Sequence, residues 1–592
     1  MVMTLFSKKS RFNTVRKSLK KMRDRTAAVV VSSALLIPVA SQAQEVIPQA
    51  HISKAIAPEH ADLFSRMVVQ DHKGRMKPIH TLSREIMRKV HRSESMDGLS
   101  ADQIMLGMYV QPSDWTNVPV VKLGKHGKFA QLLGVQNGYA AYSAFFDSTG
   151  SYKLRDEVRR VNALQPIDRG VFEKELIKVD ERVNIMNMVF GGHLLKLVPK
   201  VGDANNTWVS THSARHGRNE AEQPVADRFF SAYKQALRES IETGEYSLSN
   251  KLLQELRQYQ LEKGASVVPS QGKLDAEIFL NELNVFNRVA LVYALLGVLF
   301  LFFMFYSVFK PQKRLRVVTG ILLTALLAAF AFHTLGLGLR WYIAGRAPWS
   351  NGYESMIYIG WTTVLAGSLF ARKSLGGLAA TMVLSATVLL VAMLSYMDPE
   401  ITPLVPVLRS YWLSIHVSLE AGSYGFLMLG AVIGLINLLL MILLTKENEK
   451  RIHRMVKEMS YLSEMTLIAG LFMISIGTYL GGVWANESWG RYWGWDAKET
   501  WALVTILVYA FILHMRLIPK LGGLYAYNFA SIFGLASVIM TYYGVNYYLS
   551  GLHSYAAGDP VPVPQWVYIA VACIVAIAGL AWWRKRPFKR MG

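Results

Sequence analysis

The chain has 592 residues, 52% of them hydrophobic and only 18% charged, yet its formal net charge is +22. So little charge with so much apolar content is a poor fit to an ordinary soluble enzyme and points to a membrane protein. A nucleic-acid partner is disfavoured, because residues 1–25 hold nine Lys/Arg against one Asp, about +8, and much of the remaining excess lies between apolar runs, where cytoplasmic loops carry it. The single cysteine, Cys573, sits inside an apolar run, so there is no internal disulfide, no CxxC redox pair and no cysteine metal site.

In chain order, the basic start is followed by TAAVVVSSALLIPVA from Thr26 to Ala40 and a small-residue stretch ending at Ala43. Residues 1–43 read as a signal peptide, with an uncleaved N-terminal anchor as the alternative; either exports residue 44 onward. Residues 44–283 are mixed and polar, with no run long enough to span, and form an exported region expected to be mostly helical. Helical spacing covers Asp180 to Leu197 and Pro224 to Glu262, a charged helix-like stretch follows the Gly turn in DHKGRMKPIHTLSREIMRKVHR, and Val118 to Leu123 reads as a short strand. From residue 284 to 592 the chain becomes a polytopic membrane domain. Apolar runs at about 286–309, 315–335, 354–371, 376–396, 412–444, 463–483, 499–518, 526–548 and 565–583 give about nine transmembrane helices in an all-α fold. With residue 285 outside, the inner connections and tail hold eighteen Lys/Arg and the outer loops five, which satisfies the positive-inside rule.

That topology puts an unusual segment outside. Residues 484–501 read WANESWGRYWGWDAKETW, with five tryptophans (Trp484, Trp489, Trp493, Trp495 and Trp501) and, beside them, Asp496, Lys498 and Glu499. An aromatic belt spreads Trp and Tyr over many helix ends, whereas this concentration in one loop suits a flat apolar ligand, with a porphyrin as the leading candidate. His416, at the start of a span in SIHV, and His553, just after another in GLHSY, both fall at the outer boundary, where two imidazoles could hold one iron axially. His514, in ILHMR, lies near the inner end of its helix and would suit a second, inner site. Each of these, taken alone, also fits an interfacial or hydrogen-bonded structural histidine. His453 sits among Lys and Arg and reads as solvated. Arg340 and Arg346, with Trp341, Trp349, Asn351 and Glu354, form a second polar-aromatic cluster in which the arginines could pair haem propionates or equally lipid headgroups.

WANESWGRYWGWDAKETWALV resembles the tryptophan-rich WWD signature of haem-handling proteins. SIHV before it, ILHMR after it, GLHSY further on and GRAPWSNGYESMIYIGW upstream are similar to the CcsA (ResC) subunit of the system II cytochrome c synthetase, a likeness covering about Leu335 to Tyr555. GRMKPIHT in the exported region resembles a segment of longer relatives of that family. The resemblance implies cytochrome c biogenesis in the bacterial cytoplasmic membrane: haem b is carried to the periplasmic face and presented for attachment to the CxxCH motif of an apocytochrome c, a holocytochrome c synthase activity exercised within a complex. It also implies His416 and His553 as external iron ligands, Trp489, Trp493, Trp495 and Asp496 as the core of the haem loop, and His514 as the inner ligand. The partners implied are a CcsB/ResB-like membrane subunit, the apocytochrome and thiol-reducing proteins.

Two departures from the family pattern stand out. Ala497 occupies a position where proline is frequent, and the additional spans of the family's CcsB (ResB) component are not expected before residue 284 unless the 26–40 run is retained, so either a separate CcsB-like subunit or His333 would have to supply what those spans bring. Three other functions remain open: a haem-delivery subunit of the chaperone-dependent maturation pathway, a non-haem transporter or lipid-linked assembly factor whose tryptophans grip a headgroup, and a receptor sensing through residues 44–283.

Overall fold

A computed structural model describes residues 10–23, 55–135, 138–165, 168–210, 223–310, 315–394, 397–404, 408–549, 551, 563 and 565–584. They fall into two compact units. One contains residues up to Pro38, Asn284–Pro399 and Leu404 onward; the other contains Val39–Leu283 with Glu400–Pro403. The expected cleavage region, residues 26–43, lies outside the described residues.

The second unit is mostly helical, as expected. The helices Ile79–Val90, Ala101–Val110, Val171–Phe190, Gln223–Thr243 and Ser247–Lys263 surround a core that includes Phe64, Met87, Ile104, Phe129, Phe145, Leu176 and Phe230. The helical spacing of Pro224 to Glu262 falls in two helices, separated at Gly244, whose φ of +80° is left-handed. Four two-stranded antiparallel pairs complete the unit, among them Val68–Gln70 with Met76–Pro78, which closes the turn at Gly74, and Val121–Lys122 with Tyr139–Ala140. The charged stretch after that turn is a helix with its polar groups folded inward. Lys77 pairs with Glu85, His80 Nδ1 lies 2.8 Å from Asp102, and Arg75 reaches Glu277 at 2.5 Å.

The first unit is a helical assembly, here labelled α1 (Arg11–Arg23), α2 (Val285–Phe309), α3 (Leu315–Ala344), α4 (Gly352–Ala366), α5 (Leu375–Ala392), α6 (Tyr411–Ile442), α7 (Glu449–Trp489), α8 (Ala497–His514), α9 (Leu524–Ile539) and α10 (Gln565–Trp583). Among the described residues, eight helices are long and apolar enough to cross a membrane. The expected span at 354–371 is the exception to the nine: α4 has 15 residues and passes into a π-helical turn over Gly367–Ala371. Helix α6 is central and packs along α7, α9 and α4.

Between α6, α7 and α9 the apolar packing is interrupted by side-chain amides and hydroxyls. Asn437 Nδ2 donates to Asn528 Oδ1 at 2.7 Å, and Asn528 Nδ2 donates to Ser460 Oγ at 2.8 Å. In lipid there is no hydrophobic drive between helices, so such buried bonds and close contacts fix which faces meet. Helix α1 belongs to the same unit. Its Phe12, Val15 and Leu19 are buried, it packs on α7, and Arg11 grips Glu464 through Nε at 2.6 Å and Nη2 at 3.0 Å.

One boundary differs from the sequence reading. The apolar run at about 463–483 belongs to a longer helix: α7 begins at Glu449 and runs 41 residues to Trp489, taking His453 into its first turns. Lys and Arg are good helix formers, so a charged stretch extends a span as a solvated helix, which hydropathy alone does not reveal.

Candidate functional site

The tryptophan segment is a helix end, a turn and a helix start rather than a loop. Trp484 and Trp489 lie in the last turns of α7, where the indoles pack edge to face at 4.8 Å and Trp484 is fully buried. Gly490 ends the helix with φ of +72°, a conformation that costs glycine little because it lacks a Cβ. Asp496 then caps α8, its Oδ1 accepting from the Glu499 amide at 2.9 Å, while Glu499 Oε2 accepts from the Gly494 amide at 2.7 Å. These two carboxylates tie down the turn between them. Within it Trp493 and Trp495 meet edge to face at 5.8 Å, and Trp495 holds a left-handed φ of +55° while 71% exposed. A bulky residue rarely adopts that backbone, and such strain concentrates at functional sites.

Below this turn lies a cavity of about 640 Å³, a size usual for small-molecule sites. Trp349, Trp484, Trp493 and Tyr542 give it aromatic walls, and His416, Glu420 and Lys498 give it polar groups. His416 is fixed by α7. Its Nδ1 lies 2.8 Å from the carbonyl oxygen of Gly477, which can only accept, so Nδ1 is the donor. A backbone carbonyl on the far nitrogen is the usual way a metal-ligating histidine is oriented. The approach depends on Gly481: a Cβ there would stand 2.6 Å from His416 Cε1.

Four residues on, one helical turn along α6, Glu420 is buried and accepts a hydrogen bond from Thr478 Oγ1 at 2.8 Å. The far wall is formed where α9 changes pitch. Met540–Gly544 is a π-helical turn that sets Thr541, Tyr542 and Tyr543 against the cavity, and Val545–Tyr548 continues it with Asn546 and Tyr547. Such single π turns recur at functional sites.

The structure sorts the residues expected from sequence. His416, Trp484, Trp493 and Arg346 line the cavity; Trp489, Trp495, Asp496 and Trp501 build or flank the turn without lining it. Arg340 and Arg346 both engage Glu354: Arg340 Nε at 3.0 Å and Arg346 Nη1 at 2.7 Å, with the Ser350 amide also donating to that carboxylate at 2.9 Å. Arg340 is buried there, while Arg346 reaches the cavity edge. His514 ends α8 on an exposed surface, away from the cavity lining, with Nδ1 2.7 Å from the Ala510 carbonyl oxygen. His333 is fully buried, beside Tyr293 and edge to face with Phe286 at 5.8 Å, and is not a lining residue. His553 lies outside the described residues. Gly551, two positions earlier, is described, and a Cβ on it would sit 3.4 Å from Asp496 Oδ2, so Gly551 lies against the end of the tryptophan turn.

Glu420, Tyr424, Thr478 and Asn546 went unremarked in the sequence. The available signal was Glu420, an acidic residue four positions after His416 in an otherwise apolar span.

Comparison with known proteins bears on what such a cavity serves. The family model described as cytochrome C assembly protein matches residues 349–553. The chain is 41% identical over 578 residues to Protein NrfI of Wolinella succinogenes, covering 95% of this chain and 62% of that protein. It is also 33% identical over 244 residues to the cytochrome c biogenesis protein CcsA of Guillardia theta, covering 38% of this chain and 81% of that one. The CcsA of Chlamydomonas reinhardtii is 36% identical over 224 residues, covering 37% of this chain and 63% of its own.

The chain belongs to the cytochrome c assembly protein family. It spans 62% of the length of the Wolinella relative. Within this assembly protein the family match begins at Trp349, whose indole nitrogen donates to the Ser414 carbonyl oxygen at 3.1 Å, and it takes in almost the whole cavity lining.

Proposed function

We propose that this multi-pass protein carries haem b to the outer face of a bacterial cytoplasmic membrane and presents it there for attachment to an apocytochrome c. The observation that carries the reading is His416: an imidazole held by the Gly477 carbonyl oxygen at the edge of a tryptophan-lined cavity of about 640 Å³. His553 is the second external ligand, and His514 serves an inner site. Trp349 and Trp493 offer apolar aromatic surface to the macrocycle, with Trp484 packed behind them.

The chemistry is addition of a cysteine S–H across a vinyl group. A carbon–sulfur bond forms, the vinyl π bond breaks, and the thiol proton passes to the other vinyl carbon. Two thiols of the partner's CxxCH motif supply the sulfurs, so this chain contributes position and orientation, worth large factors in rate when a substrate is held near its reacting geometry. The activity is that of a holocytochrome c synthase working with a CcsB/ResB-like membrane subunit and thiol-reducing proteins, with residues 44–283 and the tryptophan turn on the periplasmic side.

The test is the protein purified from membranes. The wild type is expected to show a bis-histidine haem absorption spectrum, with His416→Ala and His553→Ala each losing most of it and abolishing maturation of a reporter cytochrome c. Haem-free wild-type protein, together with normal maturation in both variants, would sink the proposal.

A further inference from the structure

Lys498 is the second residue of α8, directly after the tryptophan turn, and it lines the same cavity as His416. An ammonium in this setting requires partners, since removing it from water is costly without a counter-charge. Its neighbours satisfy it poorly. Its hydrogen bond is a long one, 3.4 Å to Asn546 Oδ1, although an ammonium has three protons to donate. Glu420 and Asp496 lie close enough to be felt electrostatically, yet among the described residues no carboxylate oxygen comes within ion-pair distance of Lys498 Nζ. Both carboxylates are used elsewhere, Glu420 on Thr478 Oγ1 at 2.8 Å and Asp496 on the α8 amide of Glu499.

The contrast with the other cation at the cavity is informative. Arg346 is held by Glu354, whose carboxylate also takes Arg340 and the Ser350 amide. Lys498 has no equivalent. It stands with donor capacity to spare, facing a space that on one side presents an imidazole nitrogen and on the others indole and phenol rings.

From this we infer that Lys498 binds a carboxylate of the cavity's ligand, an inference that rests on the haem reading above and assigns it a recognition element. The ligand class is an acidic, planar metalloporphyrin, and the group recognised is a propionate. Asn546 holds the ammonium in place until the carboxylate arrives, and the charge-assisted hydrogen bond then replaces the weak one to Asn546. Lys498 is thus a specificity-determining residue: it distinguishes a porphyrin diacid from the same macrocycle without charge.

The experiment compares binding of ferric haem and its dimethyl ester to the full chain in nanodiscs, followed by the His416-dependent Soret band. Wild type is expected to prefer the diacid by about tenfold, the scale of one charge-assisted hydrogen bond. Lys498→Met should erase most of that preference while leaving the Soret position unchanged, and Lys498→Arg should keep it. Equal binding of the two porphyrins by wild type overturns the inference, as does a Lys498→Met variant that still prefers the diacid, which would make Lys498 a structural partner of Glu420. Absence of a His416-dependent band with either porphyrin overturns the haem reading itself, an outcome read from the band and not from the ratio.

Discussion

At the scale of single residues, the position of His416 is decided by its neighbour on the next helix. Gly481 leaves room for the imidazole to lie flat on α7, and Gly477 offers the carbonyl oxygen that orients it. Gly481→Ala would put a methyl 2.6 Å from the ring and push the ligand out of register without removing it. Its haem content, measured as pyridine haemochrome per protein, is expected to fall several-fold toward that of His416→Ala, with the melting temperature of the haem-free protein changed by only a few degrees. Retention of wild-type haem content would show that the imidazole moves freely. The sequence alone marks His416 by its place at the start of a span, but the two glycines carry no signal there, because their role exists only once α6 and α7 are side by side. The same is true of Arg340 and Arg346. Their proximity to Glu354 is legible in the string, whereas their joint capture by one carboxylate is a fact of three-dimensional placement.

At the scale of elements, α7 and α1 depart most from what hydropathy suggests. Apolar runs locate the spans because lipid demands about twenty apolar residues, and eight of the nine expected runs coincide with long apolar helices. Hydropathy reports what lipid tolerates and is indifferent to whether a charged stretch is helical, so the start of α7 at Glu449 and its end at Trp489 are invisible to it. This matters for the site, since Trp484 belongs to a rigid helix and its position is set by the packing of α6 on α7. Helix α1 shows the converse. Its basic residues fit the leading part of a signal peptide, yet Phe12, Val15 and Leu19 are buried and Arg11 pairs with Glu464, whose side chain is only 2% exposed. Arg11→Glu sets two carboxylates against each other at that spot, and a loss of stability on the order of 3 kcal/mol is expected, the scale for breaking a buried pair. Thermal unfolding of membrane-extracted protein checks this. Protein from which residues 1–43 had been removed in the cell would be indifferent to the change.

At the scale of the whole molecule, the two units differ in their use of charge. The second unit buries ionisable groups against one another. Glu85 is pushed up from 4.5 to about 7, chiefly by burial, with the ammonium of Lys77 opposing and the carboxylate of Glu400 reinforcing the shift. A carboxyl raised in the folded state takes up a proton there that the unfolded chain releases. Its contribution to stability is therefore complete below about pH 4.5 and is lost as the pH rises through about 7. Residues 76–90 are accordingly expected to be better protected at pH 5 than at pH 8, and Glu85→Gln to flatten the difference. Hydrogen exchange in the full chain, corrected for intrinsic rates, measures both; stronger protection at pH 8 would refute the sign. The helical character of this unit was legible from apolar spacing, but its short strand pairs were mostly missed, since two residues are too few to establish an alternating pattern.

The π-helical turn at Met540–Gly544 ties the cavity to the arithmetic of the helix. A π turn holds one more residue than an α turn, so everything beyond it is rotated by about 100° relative to an uninterrupted α-helix. Without that extra residue, Asn546 and Tyr547 would face another direction and the contact of Asn546 with Lys498 would not form. The far wall thus depends on one residue more than an α turn would hold: a chain one residue shorter at this point would keep its helices and its tryptophans and leave the cavity open on one side.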